Sequence, residues 1–192
     1  MSVSANKLVE QVAQSEAAAG TVIREFYNDF VPPRYVRRLV GRMVSSVPTK
    51  YLQGLDCVVL TNQSGHPRRY RLGKVTSRRR RVPQSRVLGR YYRAHHGKPA
   101  WIELFVDNLS AVVSLHPFFP FFRTAVFGNV LFHEIGHHID ATIRPEFREK
   151  EDVADSWSKK LLKLYFRERY RFPRPVSKLI GWMLKAIAQE FK

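Results

Sequence analysis

His133, Glu134 and His137 stand within His133-Glu134-Ile135-Gly136-His137, and residues four apart lie one above the other on an α-helix. On a helix the two imidazoles project together, and their ring nitrogens can share one metal ion. Glu134 falls about 100° round the helix from His133 at 3.6 residues per turn, beside such an ion. A carboxylate there can take a proton from a metal-held water and later deliver it to a leaving group. Zinc in a catalytic site takes three protein ligands and keeps the fourth position for water, so two histidines need a partner. No histidine follows His138. The candidates are the downstream acids Asp140, Glu146, Glu149, Glu151, Asp152 and Asp155, or the upstream His66, His95, His96 and His116. Glu151 is the best placed, because it opens a helical stretch and has Asp155 one turn later on the same face. From there Asp155 could accept the other N–H of a ligand histidine.

Such a site needs two helices held side by side. Thr124 to about Thr142 is predicted to be the helix that carries the pair, and Glu149 to about Arg169 the next, with Val153, Trp157, Leu161 and Leu164 as its apolar stripe. Arg86–Tyr92 and Ala100–Asp107 read as strands of an antiparallel hairpin joined through His95-His96-Gly97-Lys98-Pro99, and Leu55–Thr61 as a buried strand. Upstream, Ser4 to Phe30 follows helical spacing until Pro32-Pro33 stops it. Tyr35 to Val47 repeats the pattern with Arg34, Arg37, Arg38 and Arg42 on its polar side, and a last amphipathic helix follows Pro173 and Pro175. Between Ala111 and Phe132 an apolar stretch broken by His116, Pro117, Pro120 and Arg123 reads as a buried loop running into the metal-site helix. Those breaks disfavour a lipid-spanning helix.

The length of 192 residues fits one domain, and an apolar fraction of 44% with 13 Phe and 8 Tyr excludes a disordered chain. Cys57 is the only cysteine, so neither an internal disulfide nor a Cys-rich zinc knuckle can form. The N-terminus shows no secretory pattern, and a cytoplasmic location is the expectation. A net charge of +17 is unevenly spread: residues 68–98 hold twelve Lys or Arg and no acid. Arg78-Arg79-Arg80-Arg81 at its centre is expected to form a flexible excursion. A segment of that density attracts nucleic acid, an acidic protein or, third in order, an anionic membrane surface. Tyr70, Tyr91 and Tyr92 among its arginines fit single-strand stacking, and two of them fit the hairpin equally well.

The residues His133-Glu134-Ile135-Gly136-His137 followed by Glu151-Asp152-Val153-Ala154-Asp155 resemble the gluzincin metallopeptidases of the zincin fold, with the ImmA/IrrE-type peptidases nearest in size. The resemblance covers roughly residues 100–166. It implies a zinc-dependent endopeptidase with His133, His137 and Glu151 as metal ligands, Glu134 as general base and Asp155 orienting a histidine. It also implies a protein or peptide substrate that adds to an edge strand. The metzincin pattern fails, since it needs Gly and His where this chain has Asp140 and Ile143, and a SprT-type site lacks its third histidine.

The expected architecture is α+β: one zincin-like domain with N-terminal helices, a small mixed sheet whose edge strand includes residues 101–107, the metal-site helix, the glutamate helix and a C-terminal helix over the back. Asp140 is expected to be an exposed charge and His138 solvated, with Tyr165 and Tyr170 as packing residues and, secondarily, donors to an oxyanion. Gly136 costs roughly 1 kcal/mol of helix stability relative to Ala and either admits a close neighbour or is incidental. The rival from another class is a nucleic-acid-binding protein whose His-Glu-His motif is structural or inert.

Overall fold

A computed structural model describes residues 21–66, 71–77, 80–114, 120–143 and 150–170. The expected C-terminal helix lies outside these residues, as does the start of the expected N-terminal one.

Each strand among the described residues contains β-branched or aromatic residues. β1 (Val22–Phe26), β2 (Leu55–Thr61), β6 (Ala100–Phe105) and β5 (Gly89–Tyr92) form one mixed sheet in the order β1-β2-β6-β5. The first three are parallel and β5 is antiparallel to β6, with Gly89 opposite Leu104 and Tyr91 opposite Ile102. Two expectations are corrected here. Residues 22–26 are a strand, not the end of a helix: Val22 and Ile23 favour extended backbone, and parallel pairing with Cys57 to Thr61 satisfies it. Residues 101–105 are not an edge strand, because they pair on both sides and Val106 and Asp107 already belong to a helix; the edges are β1 and β5. The expected hairpin of β5 and β6 is present.

The basic segment is not all excursion. β3 (Lys74–Ser77) pairs antiparallel with β4 (Arg80–Pro83), and the β-branched Val75, Thr76 and Val82 favour that backbone.

α1 (Val36–Ser45) buries Val36, Leu39, Val40, Met43 and Val44 and turns its arginines outward. α2 (Val106–Ser114) occupies residues expected to end a strand, at Asp107, and to begin a loop, from Ala111; Val106, Leu109 and Val113 are buried at helical spacing. Asp107 fixes its start by accepting the N–H of Gln63 through Oδ2 at 2.9 Å. α3 (Pro120–Ile143) is apolar nearly all round, which marks a central helix. It runs beside α4 (Glu151–Tyr170) and across β5 and β6. Phe127, Phe132, Leu131, Ile135, Leu104 and Ile102 are among the fully buried side chains between them. Among the described residues no helix is long and apolar enough to cross a membrane.

Candidate metal centre

α3 presents its two histidines to a trough between α4 on one side and β5 on the other. The helical wheel explains this: Gly136 lies on one flank of the His133/His137 face and Glu134 on the opposite flank. On the first flank the helices touch backbone to backbone, since a Cβ on Gly136 would fall 2.7 Å from the carbonyl oxygen of Ala154. Gly136 thus admits a close neighbour. On the second flank a Cβ on Gly89 would lie 2.7 Å from Val130 Cγ1 and 3.2 Å from Glu134 Cγ. A side chain there would fill the space in which Glu134 packs beneath the edge strand.

The approach of α4 carries Glu151 to the histidine pair. His133 Nε2 is 3.2 Å from His137 Nε2. Glu151 Oε2 is 3.4 Å from the former and 3.9 Å from the latter. An ion bound tetrahedrally at about 2.0–2.1 Å spaces its donor atoms about 3.3 Å apart. The three atoms therefore fit around one cation, and His133, His137 and Glu151 form a group that could hold a metal ion. Two nitrogens and one carboxylate oxygen suit a borderline divalent cation rather than calcium or magnesium, which prefer oxygen alone.

Asp155, one turn along α4, lies 3.0 Å from His133 Nδ1 through Oδ1. That contact favours a proton on Nδ1 and leaves Nε2 as a lone pair facing the cation position. His133 and Glu134 are buried at 5% and 8% exposure, whereas His137 and Glu151 border solvent. The site is thus buried at its back and reaches solvent at its front.

Two neighbours of the motif differ from expectation. Asp140 is buried, not exposed, and its Oδ2 accepts the N–H of Lys150 at 2.8 Å. Val153 and Ala154 donate to the Lys150 carbonyl as the first turn of α4 forms, so Asp140 fastens the end of α3 to the beginning of the glutamate helix. His138 points away from the pair yet is buried, not solvated. Burial lowers its pKa, opposed in part by a hydrogen bond to the Gln53 carbonyl. In the neutral form Nε2 donates to that carbonyl at 3.0 Å and Nδ1 accepts from the Tyr91 hydroxyl at 3.3 Å.

The other candidates fall elsewhere. His66 Nε2 lies 3.4 Å from Glu103 Oε1 on the far face of the sheet, and His95 and His96 pack on each other in the β5–β6 turn. Asp152 is exposed, while His116, Glu146 and Glu149 are outside the described residues. Tyr165 packs on Phe132, and Tyr170 packs on Phe121 and Phe166 near Thr124. Thr124 is nine residues before His133, about 13 Å along the helix, so Tyr170 has a packing role. Tyr92 stacks on Trp101 and donates to Glu103 Oε2, and Tyr70 is outside the described residues. Sequence reasoning passed over Gly89, although a glycine inside a strand signals a close approach, and the tie between Tyr91 and His138, which no local pattern encodes.

No family model, curated protein or solved structure matches this chain.

Proposed function

We propose that the protein is a zinc-dependent peptidase of zincin-like architecture, with His133, His137 and Glu151 as ligands. The convergence of those three donor atoms, within 4.8 Å of one another, is the observation that carries this reading. When bound, zinc lowers the pKa of a coordinated water and polarises a carbonyl oxygen. The rest of the work falls to the chain. Asp155 holds the His133 ring in one tautomer and orientation. Glu134 takes the proton of the attacking water and passes it to the amine that leaves. Its packing beneath Gly89 holds the carboxylate beside the trough, on the flank where β5 lies. Among the described residues β5 pairs with β6 alone, so an extended peptide can add to its outer side by main-chain hydrogen bonds and lie across the trough.

Metal content per chain, by elemental mass spectrometry after removal of loosely bound ions, tests the site in wild type, His137→Ala and Glu151→Ala. About one zinc in wild type, with clear loss in both variants, is the expected result. Zinc absent from every sample, even after reconstitution, removes the enzymatic reading. Peptide hydrolysis is then compared with Glu134→Gln, which should keep the metal and lose about 10²–10⁴ in rate. Hydrolysis unchanged in Glu134→Gln would assign the activity to a contaminant or to another base.

A further inference from the structure

We infer that the groove between β1 and α1 is a phosphate-binding site for single-stranded nucleic acid. Arg34, Arg37, Arg38 and Ser45 line it beside Ile23 and Val44, and it holds about 570 Å³. Arg34, Arg37 and Arg38 fall within about one turn at the start of α1 and are exposed. Planar guanidinium forks are the side chains best matched to phosphate oxygens. Among the groove's lining residues none is acidic. The neighbouring Glu25 engages Arg37 at 2.6 Å, and of the three arginines only Arg37 has an ion-pair partner among the described residues.

The apolar part of the lining decides between kinds of polyanion. Ile23, Gly41 and Val44 supply it, and Gly41 contributes no side chain beside Ile23. A strand whose bases are unpaired can rest a base on such a seat while its phosphates meet the arginines and the Ser45 hydroxyl. A duplex keeps its bases paired and stacked within the helix and has none to lay against Ile23 and Val44. The excess of seventeen positive charges draws any polyanion towards the molecule, and the groove adds guanidinium forks beside an apolar seat. β1 and β5 are opposite edges of the sheet, about 14 Å apart at the usual strand spacing. The groove is therefore distinct from the metal trough, and none of its lining residues belongs to the hairpin of β3 and β4.

The test measures anisotropy of a short fluorescent single-stranded oligonucleotide of mixed sequence, titrated with the full chain over a range of salt. Unlabelled duplex, phosphatidylserine vesicles and pyrophosphate serve as competitors. Arg34→Gln/Arg38→Gln should weaken binding at least about tenfold and make the slope of log K against log salt shallower by about 1.4, the value for two phosphate contacts to a single strand. Lys159→Gln/Lys163→Gln removes the same charge from the exposed side of α4 and should change affinity less than about twofold. Arg34→Lys/Arg38→Lys, which keeps the charge and loses the fork, should fall between. Circular dichroism and zinc content should be unchanged in all variants, so the outcome is separate from that of the peptidase reading. Equal losses in the arginine and lysine double variants, absence of binding by wild type, or stronger competition by vesicles or duplex than by unlabelled single strand would each overturn the proposal.

Discussion

The 3.0 Å separation of His133 Nδ1 and Asp155 Oδ1 decides which ring nitrogen is left for a cation. Without that carboxylate the ring can flip or change tautomer, and its Nε2 is no longer held opposite His137. Asp155→Ala should therefore lower zinc affinity about 10–100-fold while leaving the three ligands intact. Titration against a chromogenic chelator reads this directly, and an unchanged affinity would mean that the aspartate only decorates the rim. His138 carries the opposite electrostatics. Burial lowers its pKa from the ordinary value of 6.5, so below that pH the unfolded chain takes up a proton that the folded one resists. Stability should fall as pH drops through about 6.5 and level off once pH passes below the lowered folded value. Measured on chelator-treated protein, to remove the acid sensitivity of the metal itself, urea midpoints should show this limb in wild type. In His138→Gln the limb should be shallower; equal slopes would place the titration on other groups.

At the scale of elements, the contact of Gly136 with Ala154 sets how near α4 comes to α3, and hence where Glu151 stands. Gly136→Ala gains roughly 1 kcal/mol of intrinsic helix propensity. It also places a methyl 2.7 Å from the Ala154 carbonyl oxygen, which neither backbone can avoid without separating, and such overpacking costs about 1–3 kcal/mol. The variant should unfold at lower temperature and bind zinc more weakly than wild type. A gain in stability with unchanged affinity would show that the helices are not in contact there. The same pair of helices was the most legible part of the sequence. His133 and His137 at i, i+4, and Glu151 with Asp155 at i, i+4, are local patterns that a helix converts directly into geometry. What escaped was set by distant chain. Val22, Ile23 and Phe26 fit a helical spacing as well as a strand, and only pairing with β2 decides between them. Residues 101–105 read correctly as strand, but a strand's rank in the sheet is not written in its own residues. The burial of His138 and Asp140 depends on Gln53 and Lys150, neither of which the motif can announce. α2 was legible in principle, since Val106, Leu109 and Val113 carry the period; the Phe and Pro residues after it drew the reading towards a loop.

For the whole molecule, the trough that could hold a metal ion is made from parts far apart in sequence: β5 at one wall, α3 as floor and α4 at the other wall. A ligand held by both α3 and α4 stabilises the native chain by mass action, by about 4 kcal/mol when free zinc is a thousandfold above its Kd and the unfolded chain does not bind. Cys57 offers a reporter for that linkage that does not involve the site. It lies in β2 between β1 and β6 and is fully buried, and burial, with Asp56 beside it, pushes its thiol up to about 12. A thiol both covered and protonated is inert, so a disulfide reagent should react only when the sheet opens. At mildly alkaline pH the native chain should label slowly and the urea-unfolded chain at once. If opening of β2 requires the parting of α3 from α4, saturating zinc should slow labelling by a large factor in wild type and not in Glu151→Ala. Labelling that is slow but indifferent to zinc would mean that the sheet opens while the helix pair stays closed, and that the metal stabilises the α3–α4 unit alone.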